Sequence, residues 1–189
     1  EATAPAAPSP LFLYAFAAST QLPDVPDSGG AGNDGLAGPQ AALSASTPKA
    51  TPPGAGDRSL DSSGDSTAGE TGVVTKQVGL LSNAAIATRG GFAMECWFKW
   101  NGGGTQNSII DYAGTEKIVI DTSGVVPGQV EMVLNDLDRF PIGIAVPGKW
   151  HYVAVVFSTG GRAVNDDGTI GGLLTTYFDR VTQWSLGVA

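Results

Sequence analysis

The sequence predicts an all-β protein, a two-sheet antiparallel β-sandwich of jelly-roll type, and three observations predict it. The segment Phe92–Trp100 alternates, with Phe92, Met94, Cys96, Phe98 and Trp100 on one side and Ala93, Glu95, Trp97 and Lys99 on the other. Period two with apolar side chains on one side describes a strand that has one face on a core. Trp150–Phe157 is apolar on both sides, as a central strand covered on each face requires. Turn residues recur between such segments at roughly 8–12-residue intervals, and no stretch carries a helical repeat.

The elements follow in order. Glu1–Pro10 reads as a Pro/Ala linker. Leu11–Phe16, bounded by Pro10 and Ser19-Thr20, has the composition of a buried first strand. Turn signals dominate Gln21–Gly72, with weak strand candidates at Gly35–Leu43 and Arg58–Asp61. That region reads either as a linker or as long Gly/Ser/Asp-rich loops (19–72) of one domain that runs from 11 to 189. The apolar segment at 11–16 favours the second reading, since an isolated strand has no role inside a linker.

After Phe92–Trp100, Asn101–Thr105 makes a flexible turn and Ser108–Tyr112 a short return strand. Lys117–Asp121 and Gln129–Asn135 are two more strands, separated by Ser123-Gly124 and Pro127-Gly128. Pro147-Gly148 resets the chain before Trp150. Gly160–Gly172 is a polar loop, and Leu173–Val181 is the last clear strand.

Bulk composition narrows the function. A net charge of −8 argues against nucleic acid and anionic membrane, which select basic patches. Cys96 is the one cysteine, so no intramolecular disulfide is possible, although a chain of this size can bury enough core for secretion without one. No run of about 18 apolar residues exists to insert in a membrane, and Leu11–Ala18 lacks the basic flank of a signal peptide. The start at Glu1 leads us to expect a processed or excised part of a larger multidomain protein.

The residues also carry a resemblance. Phe92-x-x-Glu95-x-Trp97-x-Lys99 resembles the "F-T-x-E-x-W-x-K" strand of laminin-G-like jelly-roll domains, in the concanavalin A-like lectin/glucanase superfamily. Pro147-Gly-Lys-Trp150-His151-Tyr-Val153-Ala154 resembles that family's "x-W-H-H-V-A" strand. Ser108–Tyr112 is similar to the short apolar strand between them, with Gly114 slightly late. Thr175-Thr-Tyr177-Phe178-Asp179 resembles the "L-Y-V-D-G" strand, but Arg180 stands where the family has Gly. Upstream, Leu13–Phe16, Asp27–Gly30, Asn33–Gly35 and Arg58–Asp61 are similar to the family's opening strands and loop. The resemblance covers roughly residues 11–184 and is specific over 92–157. It implies a non-catalytic fold of this type that lacks its C-terminal strands, with an edge strand left unpaired.

Glucanases on this fold carry an "E-x-D-x-x-E" strand, because retaining hydrolysis needs two carboxyls about 5–5.5 Å apart. Glu131–Asp138 has the wrong spacing for that array. His151, the one histidine, sits where the family motif has a structural histidine, and Cys96 alternates with core residues, so neither reads as catalytic. Two such ligands cannot build a zinc site.

Calcium is a candidate cofactor. Asn165, Asp166 and Asp167 cluster oxygen ligands before Gly168, Asp136 and Asp138 flank a second loop, and Asp27–Gly35 has similar composition. Tight turns select the same residue types, so both readings stay open. Glu95 and Trp97, opposite the Met94/Cys96/Phe98 face, are the candidate ligand-binding pair, since sugar recognition stacks an aromatic ring on a pyranose and uses carboxylates for hydroxyls. Packing of Trp97 under a loop is the competing reading.

The function expected is recognition or adhesion, with carbohydrate or an extracellular protein as partner, in a secreted or cell-surface protein of bacterial type. A structural spacer without a small ligand and an accessory domain of a glycoside hydrolase are the alternatives. Fold alone does not choose among them.

Overall fold

The computed structural model describes residues 13–16, 19–48, 58–61, 73–75, 83–103, 106–112, 116–121, 126–134, 137–160, 166 and 171–188. The chain divides into two compact units, Glu1–Leu80 and Leu81–Ala189.

In the first unit, β1 (Asp24–Val25), β2 (Gly35–Ala37) and β5 (Val73–Thr75) form a three-stranded antiparallel sheet in the order β1-β2-β5. β3 (Ala42–Ser44) and β4 (Ser59–Asp61) make a separate antiparallel pair. The weak candidates at 35–43 and 58–61 thus contain strands, each only three residues long. Leu11 and Phe12 lie outside the described residues, and the rest of the expected first strand is corrected: residues 13–16 join no ladder, and Leu13 is 49% exposed. Their backbone is tied instead by loop contacts. The Asp27 carboxylate accepts from Leu13 N–H at 2.9 Å, Leu13 O accepts from Ser28 N–H at 2.8 Å, and Phe16 O accepts from Arg58 N–H at 3.0 Å.

The second unit is a sandwich of two four-stranded antiparallel sheets. α1 (Asn83–Arg89), a helix of two turns, leads into it and ends at Gly90, whose φ of +79° suits a helix C-terminus. One sheet holds β7 (Gln106–Tyr112), β8 (Glu116–Asp121), β9 (Gln129–Leu134) and β10 (Asp138–Ile144), in the order β10-β9-β8-β7. The other holds β6 (Gly91–Lys99), β11 (Trp150–Ser158), β12 (Gly172–Phe178) and β13 (Val181–Val188), in the order β13-β12-β11-β6. β6 and β11 pair without interruption from Gly91↔Ser158 to Lys99↔Trp150.

Val153, Val155, Phe157, Leu174 and Phe178 on one sheet and Ile118, Ile120, Val130, Met132 and Ile142 on the other form the core. Each such side chain, once buried, stabilises the fold by about 1.5–3 kcal/mol relative to exposure. The sheets meet closely where Gly143 of β10 lies under Phe178 of β12: a Cβ on Gly143 would come 2.5 Å from the Phe178 ring. No other residue fits there without moving the ring.

Two strand boundaries differ from the sequence reading. Leu173–Val181 is not one strand but the end of a hairpin, because Asp179 and Arg180 turn the chain between β12 and β13. The sequence does not predict β10 as a strand; Asp138 is its first residue, beside the turn at Leu137, and Asp136 lies outside the described residues. Pro141 masks β10 in the sequence; the sheet accommodates it with a register shift between Pro141 and Gly143.

Candidate functional site

The candidate site lies on the solvent side of the β6/β11/β12/β13 sheet. Alternation along β6 sends Ala93, Glu95, Trp97 and Lys99 outward while their neighbours face the core. The register then decides their company. Trp97 stands opposite Tyr152, Lys99 opposite Trp150, and Glu95 opposite Ala154; Ala154 in turn stands opposite Tyr177 on β12.

Trp97 is 37% exposed and packs against Tyr152, with ring centroids 5.4 Å apart and planes tilted by 56°. The Tyr152 hydroxyl donates to Glu95 Oε2. Partial burial, and then this bond to a carboxylate, push the Tyr152 phenol up to about 12. The Arg180 guanidinium lies over the Trp97 ring at 5.7 Å, and Lys99 Nζ lies over the Trp150 ring at 5.6 Å. Glu95 and Trp97, expected as a pair from the sequence, therefore share one surface and are joined through Tyr152.

The turn that delivers Arg180 is held from beneath. Asp179 (φ +49°) and Arg180 (φ +68°) both adopt left-handed conformations, the pattern of a type I′ hairpin turn. Asp179 is fixed by its neighbours. Its Oδ2 accepts from His151 Nδ1 at 2.9 Å, its Oδ1 from Tyr152 N–H at 3.0 Å, and its own N–H donates to Tyr152 O at 2.8 Å.

His151 Nε2 in turn accepts the Val146 N–H at 2.9 Å, which assigns the ring proton to Nδ1. The imidazole is 5% exposed and stacks on Phe178 at 5.1 Å. A His–Asp pair of this form resembles a proton-transfer dyad, but the nitrogen that would serve as base is occupied by a backbone donor. The pair is a clamp between the β10–β11 loop and the β12–β13 turn.

Arg180 has no comparable explanation in the fold. A left-handed conformation costs a non-glycine residue about 1–2 kcal/mol. An exposed cation–π contact returns only about 0.5–1 kcal/mol. Glycine at this position would give the fold an equal or better turn.

The remaining sequence candidates are placed as follows. Asp166 is an exposed turn residue, while Asn165 and Asp167 lie outside the described residues. In the first unit, the Asp27 carboxylate accepts N–H groups from Leu13, Gly29 and Asn33 at 2.9–3.1 Å. The Leu13 bond first, with those of Asn33, Gly29 and Ala31, holds its carboxyl below the ordinary range. Those bonds organise the loop. Among the described residues no group of three His, Cys, Asp or Glu side chains is arranged to hold a metal.

Glu131 is buried, accepting from Gln129 Nε2 at 2.7 Å and Arg139 Nη1 at 2.9 Å. Burial, and then the charge of Glu95, push the Cys96 thiol up to about 12, so it stays protonated and unreactive. Among the described residues no helix is long and apolar enough to cross a membrane.

Sequence reasoning placed Lys99 on the Glu95/Trp97 side of its strand but missed Tyr152, Trp150 and Arg180 as members of this surface. The first two lie on a strand that is apolar on both sides, so only the β6–β11 register identifies their outward face. Arg180 had a visible signal: a bulky residue where the resembled turn carries glycine. Comparison of the chain with protein-family models, curated proteins and solved structures finds no match.

Proposed function

We propose that this chain is a non-catalytic recognition module of a secreted or cell-surface protein and that its Trp97 face binds carbohydrate. The observation that carries the reading is Trp97 itself, a large aromatic ring more than a third exposed on a sheet, with Glu95 and Tyr152 linked beside it. A rigid sheet presents such a ring at little entropic cost, and the flanking carboxylate and hydroxyl offer acceptors to sugar hydroxyls. Among the described residues, three groups that could carry acid–base or nucleophilic chemistry are engaged in the fold. His151 is bonded at both nitrogens, Asp179 accepts two donors, and Cys96 is held as the thiol.

The test is binding of the chain to an immobilised glycan panel, repeated with Trp97→Ala. We expect retention on at least one glycan and at least about a tenfold loss in the variant, as for removal of one stacking aromatic. The melting midpoint should move little. Retention that is unchanged in Trp97→Ala, or absent for every glycan, would refute the reading.

A further inference from the structure

We propose that the saccharide taken by this face carries carboxylates, as in a uronic-acid glycan, and that Arg180 is the residue that selects it. The proposal rests on the carbohydrate reading above and names the chemical class of its ligand.

Charge on this face favours an anionic ligand. The chain as a whole has a net charge of −8, yet a cation lies over each of the two tryptophans on this face, Arg180 over Trp97 and Lys99 over Trp150. Trp97 and Lys99 are two residues apart on β6, so their Cα atoms are separated by about 7 Å along one side of the strand. The carboxylate of Glu95 accepts the Tyr152 hydroxyl. A sugar stacked on Trp97 would place its ring substituents near Arg180 and Lys99, where an anionic substituent meets two cations that offset the charge of Glu95.

The residue at the turn points the same way. Arg180 sits at φ +68°, a conformation that glycine adopts without penalty, and its guanidinium lies over the exposed Trp97 ring, with its charge felt at Tyr152. Backbone strain that the fold does not need is found where a side chain serves a ligand. Of the two cations, the planar guanidinium is the one that matches a carboxylate with two parallel hydrogen bonds.

The experiment is calorimetric titration of the full chain with galacturonate oligosaccharides, with their methyl esters, and with dextran sulfate, at low and high salt. Arg180→Gly and Trp97→Ala are titrated beside the wild type. The expected result is binding of the acid form that weakens with salt, with esters at least about tenfold weaker. Arg180→Gly should show a similar loss with a melting midpoint that is unchanged or higher, which separates lost recognition from lost folding.

Esters that bind as well as the acid, or wild-type affinity in Arg180→Gly, would overturn the proposal. If Trp97→Ala still abolished that binding, the broader carbohydrate reading would stand. Equal affinity for dextran sulfate would also overturn it, because bulk charge rather than carboxylate geometry would then govern. Failure of every saccharide to bind overturns both.

Discussion

His151 Nδ1 lies 2.9 Å from Asp179 Oδ2, so a buried imidazole near the start of β11 holds the turn that places Arg180 over Trp97. Removal of the ring as His151→Ala would orphan the Val146 N–H and open a hole beside Phe98 and Phe178. We expect a loss of about 2–4 kcal/mol in denaturant unfolding. Asp179→Ala should cost less. The double variant should fall short of the sum by about 1 kcal/mol or more, the coupling expected of groups that share a bond.

The turn makes the opposite prediction for its second residue. Arg180→Gly removes a left-handed non-glycine residue and forfeits only an exposed ring contact. The expected change in unfolding free energy lies between zero and about +1 kcal/mol of stabilisation. A loss of more than about 1 kcal/mol would show that the arginine serves the fold after all.

Thr176 is fully buried between the sheets, and its Oγ1 has no hydrogen-bond partner among the described residues. Thr176→Val keeps the shape and removes the unpaired hydroxyl. It should stabilise the chain by about 1 kcal/mol, read as a higher denaturant midpoint at constant slope.

Cys96 faces the core of the sandwich with its thiol pushed up to about 12. At pH 8 only about one molecule in ten thousand carries the thiolate. A disulfide reagent should therefore label the native chain at the rate of its opening and the unfolded chain at once. Rapid native labelling would contradict the burial of this residue.

Tyr152 supplies the pH dependence. Its folded pKa of about 12 exceeds the ordinary value of 10.0, first because burial opposes the phenolate and second because Glu95 does. For a group raised in this way, stability is present in full below pH 10.0 and is lost as pH rises through about 12, since the unfolded chain ionises first. Alkaline titration followed by phenolate absorbance should show a late-ionising tyrosine that Glu95→Gln brings down. An unmoved titration would mean that the Tyr152–Glu95 bond does not persist in solution.

The sandwich was legible in the sequence. Alternation in Phe92–Trp100 and the doubly apolar run Trp150–Phe157 are local records of how many faces a strand buries, and they mark β6 as half-exposed and β11 as central. The same alternation placed Glu95 and Trp97 together, because residues two apart on a strand share a face whatever the partner strands are. Tertiary structure alone decided which side chains stand beside them. Tyr152 reaches Glu95, and Lys99 reaches Trp150, only through a register set by hydrogen bonds between segments about fifty residues apart, and no local pattern encodes that pairing. The apolar segment before Ser19 shows the converse. Leu13–Phe16 has strand composition, but no strand among the described residues pairs with it, and its backbone bonds go to Asp27, Ser28 and Arg58 instead.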